Sequence, residues 1–156
     1  MNPSNNTSDA SFARLQQRDR GPAAELLGHR LVALDRAGGR VEVEFQAREH
    51  LFNPMGVMQG GLTMAMLEQA LTDAAVGLSE GTAAASIDPA QTVILLEVHC
   101  NFLTAVGPGL VCCHGTLVRQ GRSTAFVEAK LFNATGELSA TASAVATLET
   151  PEGVQL

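Results

Sequence analysis

The spacing of apolar and polar positions divides the chain into elements. Val41, Val43 and Phe45 alternate with Glu42 and Glu44, the period-two pattern of a half-buried strand. That run, Arg40 to Phe45, follows His29 to Asp35 through Ala37-Gly38-Gly39, and together they read as a hairpin. Upstream, Ser11 to Leu27 mixes charge with leucine and alanine around Gly21-Pro22, which predicts one or two short helical pieces near the surface. Gly60-Gly61 opens the longest element, since eleven of the seventeen residues 62–78 are apolar and none is proline. A helix apolar on nearly every side belongs in an interior, covered by strands. Glycine and serine around Gly77 to Gly81 end it, and Thr82 to Gln91 reads as a mobile connection.

Four strand-like runs follow: Val93 to Leu103, Leu110 to Gln120, Ser123 to Phe132 and Leu138 to Leu148. Gly107-Pro108-Gly109, Gly121-Arg122 and Thr135-Gly136 separate them, so consecutive runs are expected to meander as antiparallel neighbours. A hairpin, one long buried helix and four strands make an α+β pattern in which the sheet curls around the helix. A chain of 156 residues fits one such domain and buries a core without needing disulfides or metal. The expected limits are a flexible tail over 1–10, a single domain over 11–149 and a tail over 150–156.

Charge and composition narrow the function. A net charge of -6 argues against a nucleic-acid partner, whose phosphates call for Lys and Arg. Cys100, Cys112 and Cys113 are odd in number, lie in strand-like sequence and lack CxxC spacing, so they read as core residues in a reduced cytoplasm. His29, His50, His99 and His114 show no metal-ligand spacing, so no metal is expected; His50 reads as a surface residue or as part of a site mouth. The first ten residues lack the basic-then-apolar pattern of a secretory signal. Glu68, Gln69, Thr72 and Asp73 interrupt Leu62 to Leu78 and argue against a membrane span. The expectation is a soluble, cytoplasmic protein.

Asn53-Pro54-Met55-Gly56-Val57-Met58-Gln59-Gly60-Gly61, with Glu68 seven residues after the second glycine, is the most informative stretch. It resembles the signature of the hotdog-fold acyl-CoA thioesterases of the phenylacetate-degradation (PaaI-like) group, which runs Asn, Gly, His-Gly-Gly and then Asp or Glu on the central helix. The resemblance covers roughly residues 30 to 148. It implies a hotdog fold, an acyl-CoA substrate whose coenzyme A is part of the substrate and not a cofactor, and a homodimer or homotetramer.

Physical chemistry supports the same roles. Glycines at a helix start let a ligand approach free N–H groups at the positive end of the helix, where charge developing on a thioester oxygen is stabilised. Gly60 is therefore the candidate oxyanion donor, with Gly61 beside the substrate. Glu68 is the candidate general base or nucleophile. A packed carboxylate satisfied by its neighbours is the competing reading, but burying an unneeded charge is costly. Eight residues of helix place the two groups roughly 12 Å apart, at about 1.5 Å per residue. One subunit does not easily supply both, so two antiparallel central helices related by a two-fold axis are expected to form shared sites.

Thr72 shares the Glu68 face one turn on and is a candidate to hold a water or the carboxylate. Asn53 either fixes the glycine loop by side-chain hydrogen bonds or acts as a plain turn former. Gln59 stands where the family usually carries histidine; it donates a hydrogen bond but does not titrate near neutrality. Arg119, Arg122 and Ser123 resemble the family's basic turn that holds coenzyme phosphates, and equally suit a solvated turn. Lys130 is a weaker candidate of the same kind. Met64 and Met66 fit core packing, with Met64 also a candidate for the acyl pocket. Hydrolysis of an aryl or short to medium acyl-CoA is the leading reading. The alternatives are a non-catalytic acyl-CoA-binding or assembly protein and, ranked lower, a thioester hydratase or dehydratase, whose helix usually carries Asp and His.

Overall fold

The structure is a computed structural model that describes residues 10–79 and 92–149. The connection Thr82 to Gln91, the tail 150–156 and all but the last residue of the tail 1–10 lie outside the described residues. Two short helices, α1 (Ala10–Gln17) and α2 (Gly21–Leu27), come first. They are more than surface pieces: Leu15, Leu27 and Phe12 enter the core, and Leu15 presses so closely on Gly77 that a Cβ there would lie 2.8 Å from it.

The hairpin forms as β1 (Arg30–Asp35) and β2 (Arg40–Ala47), with Asp35 opposite Arg40. Asp35 Oδ1 closes its turn by accepting from the Gly38 N–H at 2.8 Å. Val41, Val43 and Phe45 are fully buried, as their alternation requires. After a short 3-10 turn at Glu49–Leu51 and the glycine loop comes α3 (Gly60–Leu78), then β3 (Thr92–Phe102), β4 (Gly109–Gln120), β5 (Thr124–Phe132) and β6 (Leu138–Glu149).

All six strands form one antiparallel sheet in the order β1-β2-β4-β5-β6-β3, and α3 packs against five of them. The helix approaches β4 so closely that a Cβ on Gly115 would fall 2.5 Å from the Ala70 carbonyl oxygen. On β6, Ala140, Ala142, Ala144 and Ala146 are buried, and small side chains of this kind allow close helix-on-sheet packing.

Strand order corrects the simple meander. β3 pairs with β6 at the sheet edge, not with β4, although only residues 103–108 separate β3 from β4. Six extended residues reach about 20 Å. That is enough to pass the ends of β6 and β5, since three strand spacings come to roughly 14 Å. This crossing leaves β2 free to pair with β4.

A second correction concerns α3. Its C-terminal half, Ala70 to Leu78, is buried throughout, but its first half is open on one side. Gly61 and Met64 are exposed, and Ala65 and Glu68 are half-buried. Residues spaced 0, 3, 4 and 7 lie on one helical stripe. Met64 is thus a surface residue at 36% exposure and not core, whereas Met66 is completely buried.

Candidate active site

The glycine loop is fastened from three directions. Asn53 Oδ1 accepts from the Met55 N–H at 2.9 Å, and the Asn53 N–H donates to Val57 O at 2.8 Å. Gly56, at φ 77°, makes the turn between them, where a side chain would be strained. The Met58 N–H donates to Val106 O at 2.8 Å, and the Gln59 N–H to Leu51 O at 3.0 Å. Extended backbone at Gln59 (φ -62°, ψ 130°) then turns the chain into α3 without a side-chain cap. Gly60 and Gly61 are the first two helical residues, and helix geometry gives such N–H groups no intrahelical acceptor.

A cavity of about 320 Å³ opens at this helix end, with Asn53, Gly60, Thr63, Phe102 and Thr104 among its walls. The Phe102 ring lies over Gly60, 3.6 Å from where a Cβ would stand. Phe102 and Leu103 are more than half exposed. The Gln59 side chain is exposed as well.

Glu68 lies two helical turns further along. Burial pushes its carboxyl above the ordinary range, and the charge of Arg18 opposes that shift. Arg18 belongs to a cluster centred on Asp73, which is fully buried on α3. Arg20 Nη2 and Nε donate to Asp73 Oδ1 at 3.0 and 3.1 Å, His29 Nε2 stands 2.8 Å from Oδ2, and Arg18 Nη1 lies 3.9 Å from Oδ1. Burial and Arg20 lower the Arg18 guanidinium, while Asp73 and Glu68 raise it. The α1–α2 junction thereby brings a cation close to Glu68 and anchors it on Asp73. Sequence reasoning missed this cluster; Asp73 within an apolar helix was its one signal, and its partners lie 44 and 53 residues away.

Of the residues singled out from sequence, Asn53 and Gly60 meet in the cavity at the helix start. Gly61, Met64 and Glu68 line the open stripe, and Thr72 continues it into the core at 8% exposure. The turn bearing Arg119, Arg122 and Ser123 is not brought to the glycine loop. Arg119 and its neighbours end β4, whereas the loop is bonded to Val106, just before β4 starts at Gly109, roughly 30 Å away at about 3.4 Å per residue. His50 is exposed, as a surface histidine should be.

A long helix on a six-stranded antiparallel sheet, with an uncapped glycine start and one half-buried carboxylate on the open stripe, defines a hotdog-fold hydrolase. The Thioesterase superfamily profile matches residues 55–140. A 1,4-dihydroxy-2-naphthoyl-CoA hydrolase of Listeria monocytogenes is 30% identical over 114 residues, which make up 73% of this chain and 85% of that protein. The crystal structure of a phenylacetic acid degradation-related protein from Ralstonia eutropha superimposes with a TM-score of 0.74 at 28% identity, covering 90% of this chain and all of that one. The PaaI protein of the Escherichia coli phenylacetic acid degradation operon shares the fold, with a TM-score of 0.72 at 14% identity over 88% of this chain and 94% of that one. The chain belongs to the Thioesterase superfamily, and it is a thioester hydrolase of PaaI-like type.

Proposed function

We propose that the protein hydrolyses an aryl or short to medium acyl-CoA thioester to the free acid and coenzyme A, in sites shared between two subunits. The observation that carries this reading is the open stripe of α3, which presents Glu68 beyond the reach of its own uncapped helix start. A second subunit closes that gap. β3 is a strand of eleven residues at the sheet edge, paired on one side only among the described residues, and it leaves Leu96 and Phe102 exposed at 62% and 56%. Long, apolar edge strands pair readily.

Antiparallel pairing of β3 with its copy would continue the sheet across a two-fold axis, with the two α3 helices antiparallel on the same face. Glu68 of one protomer would then approach Gly60 of its partner. The partner's β4–β5 turn, with its Arg119 and Arg122, would come toward the same side, which reconciles a phosphate-binding role with their distance from the loop of their own chain.

In this mechanism the thioester carbonyl oxygen accepts from the Gly60 N–H at the positive end of α3. Glu68 of the other subunit takes a proton from an attacking water or attacks the carbonyl itself. Asn53 holds the loop rigid, Thr72 supports the carboxylate, and Gly61 and Met64 border the acyl group. Gln59 donates a hydrogen bond where relatives use histidine, so it orients the substrate and transfers no proton.

The test is release of free coenzyme A thiol from a panel of aryl and aliphatic acyl-CoA substrates by the native protein and by Glu68→Ala, both shown folded. Turnover that collapses in the variant supports the reading. Binding of acyl-CoA without turnover by the native protein would overturn it in favour of a binding protein.

A further inference from the structure

On the opposite face of the sheet from α3, three potential ligands converge from two strands. Glu42 of β2 lies directly opposite His114 of β4, and Cys112 precedes His114 by two residues, so all three side chains share the outer face. The Cys112 S–H donates to Glu42 Oε1 at 3.7 Å, and His114 Nε2 lies 3.7 Å from Glu42 Oε2. The three ligand atoms all fall within 4.8 Å of one another. We propose that Glu42, Cys112 and His114 form a binding site for a divalent cation of the zinc class.

Geometry favours zinc. Around a tetrahedral zinc with bonds of about 2.3 Å to sulfur and about 2.0–2.2 Å to nitrogen and oxygen, neighbouring ligand atoms stand roughly 3.3–3.6 Å apart. Cys112 Sγ and His114 Nε2, each 3.7 Å from a different oxygen of Glu42, already lie within a few tenths of an ångström of that range. The ladder between β2 and β4 fixes the backbone on which the ligands sit, and the His114 ring also leans on Phe132, with ring centroids 5.0 Å apart. Spacing along the chain conceals the site, because Glu42 comes from another strand.

The donor set, one thiol, one imidazole and one carboxylate, selects the class of ion. Burial, then Glu42 and then Glu44 push the Cys112 thiol up to about 12, against a smaller opposite effect of Arg40. Burial holds His114 below its usual range, with Arg40 and Lys130 adding to that and Glu42 opposing it. On binding, Cys112 releases one proton to solvent, and one thiolate plus one carboxylate balance the two charges of the ion.

Arg40 and Lys130 work against a cation held by charge alone. Mg²⁺ and Ca²⁺ require several oxygen ligands, and of these three residues only Glu42 offers any, so thiolate and imidazole bonds must hold the ion. His114 also borders a cavity of about 470 Å³.

Titration of the full-length protein with Co²⁺, a spectroscopic substitute for Zn²⁺, tests the proposal without reference to hydrolysis. One Co²⁺ per chain is expected, with a thiolate-to-cobalt charge-transfer band, four-coordinate d–d bands, release of one proton and bleaching by Zn²⁺. Cys112→Ser should lose the charge-transfer band while keeping native circular dichroism and Tm. His114→Gln should weaken affinity by more than about 100-fold, beyond the ~10–100-fold cost of losing an outer-shell partner. Absence of the band in the native protein, or its persistence in Cys112→Ser through Cys100 or Cys113, overturns the proposal.

Discussion

Replacing Gly60 by proline removes one hydrogen-bond donor and little else. Gly60 is the first residue of α3, the position at which proline is most at home in a helix, because the missing N–H has no intrahelical partner. Gln59, at φ -62° and ψ 130°, already has the extended backbone that a following proline demands. The new Cβ would meet Phe102 at 3.6 Å, an ordinary contact. Folding should therefore be unchanged, with Tm within a few degrees of native. If the Gly60 N–H supports the oxyanion, its loss costs about 100- to 1,000-fold in kcat, or roughly 2.7–4 kcal/mol. Because the interaction strengthens in the transition state, kcat and kcat/KM should fall together. The assay is thiol release under saturating and limiting substrate, beside thermal melts of both proteins. A folded proline variant that keeps kcat within about threefold of native would refute the oxyanion role, since the smallest cost assigned to such a donor is about 100-fold.

Titration of Glu68 gives two further outcomes. Its folded-state pKa is raised by burial, so its ionisation costs stability as pH rises through that value; Glu68→Gln should raise Tm near neutrality, with no gain below the ordinary carboxylate range. Arg18 pulls the same carboxyl down, so Arg18→Gln should move the acid limb of the kcat profile to higher pH, whereas Arg18→Lys should restore it. Asp73→Asn leaves Arg20, whose side chain is 8% exposed, without its counter-charge, and His29, at 6%, without its carboxylate partner. Urea denaturation should show a loss of about 3–5 kcal/mol, as for other broken buried pairs.

Much of this architecture is legible in the chain because local pattern and tertiary burial agree. Val41, Val43 and Phe45 alternate as a strand and are all buried, and the apolar run after Gly60 is the helix that the sheet covers. What the chain conceals depends on distant partners. The edge position of β3 is invisible from a short connection, because six residues suffice either for a turn or for a crossing beneath two strands. The exposure of Met64 is hidden for a related reason: the helix is apolar all round, but its open stripe is defined by where the sheet stops. Asp73 reads only as a polar interruption until α1 and α2 bring Arg18 and Arg20 against it, and Phe102 reads as the end of a strand until it is found over Gly60.

The shared site is tested most directly by mixing two inactive proteins. Glu68→Ala and Gly60→Pro subunits, unfolded together and refolded as hybrids, place both lesions in one site and leave the other intact if Glu68 works across the two-fold axis. The mixture should then regain up to about one quarter of native activity, because half of a random mixture is hybrid dimers with one good site each. If each site is built within one chain, every site in the mixture carries a lesion, and activity no higher than that of the separate variants would contradict the shared-site mechanism.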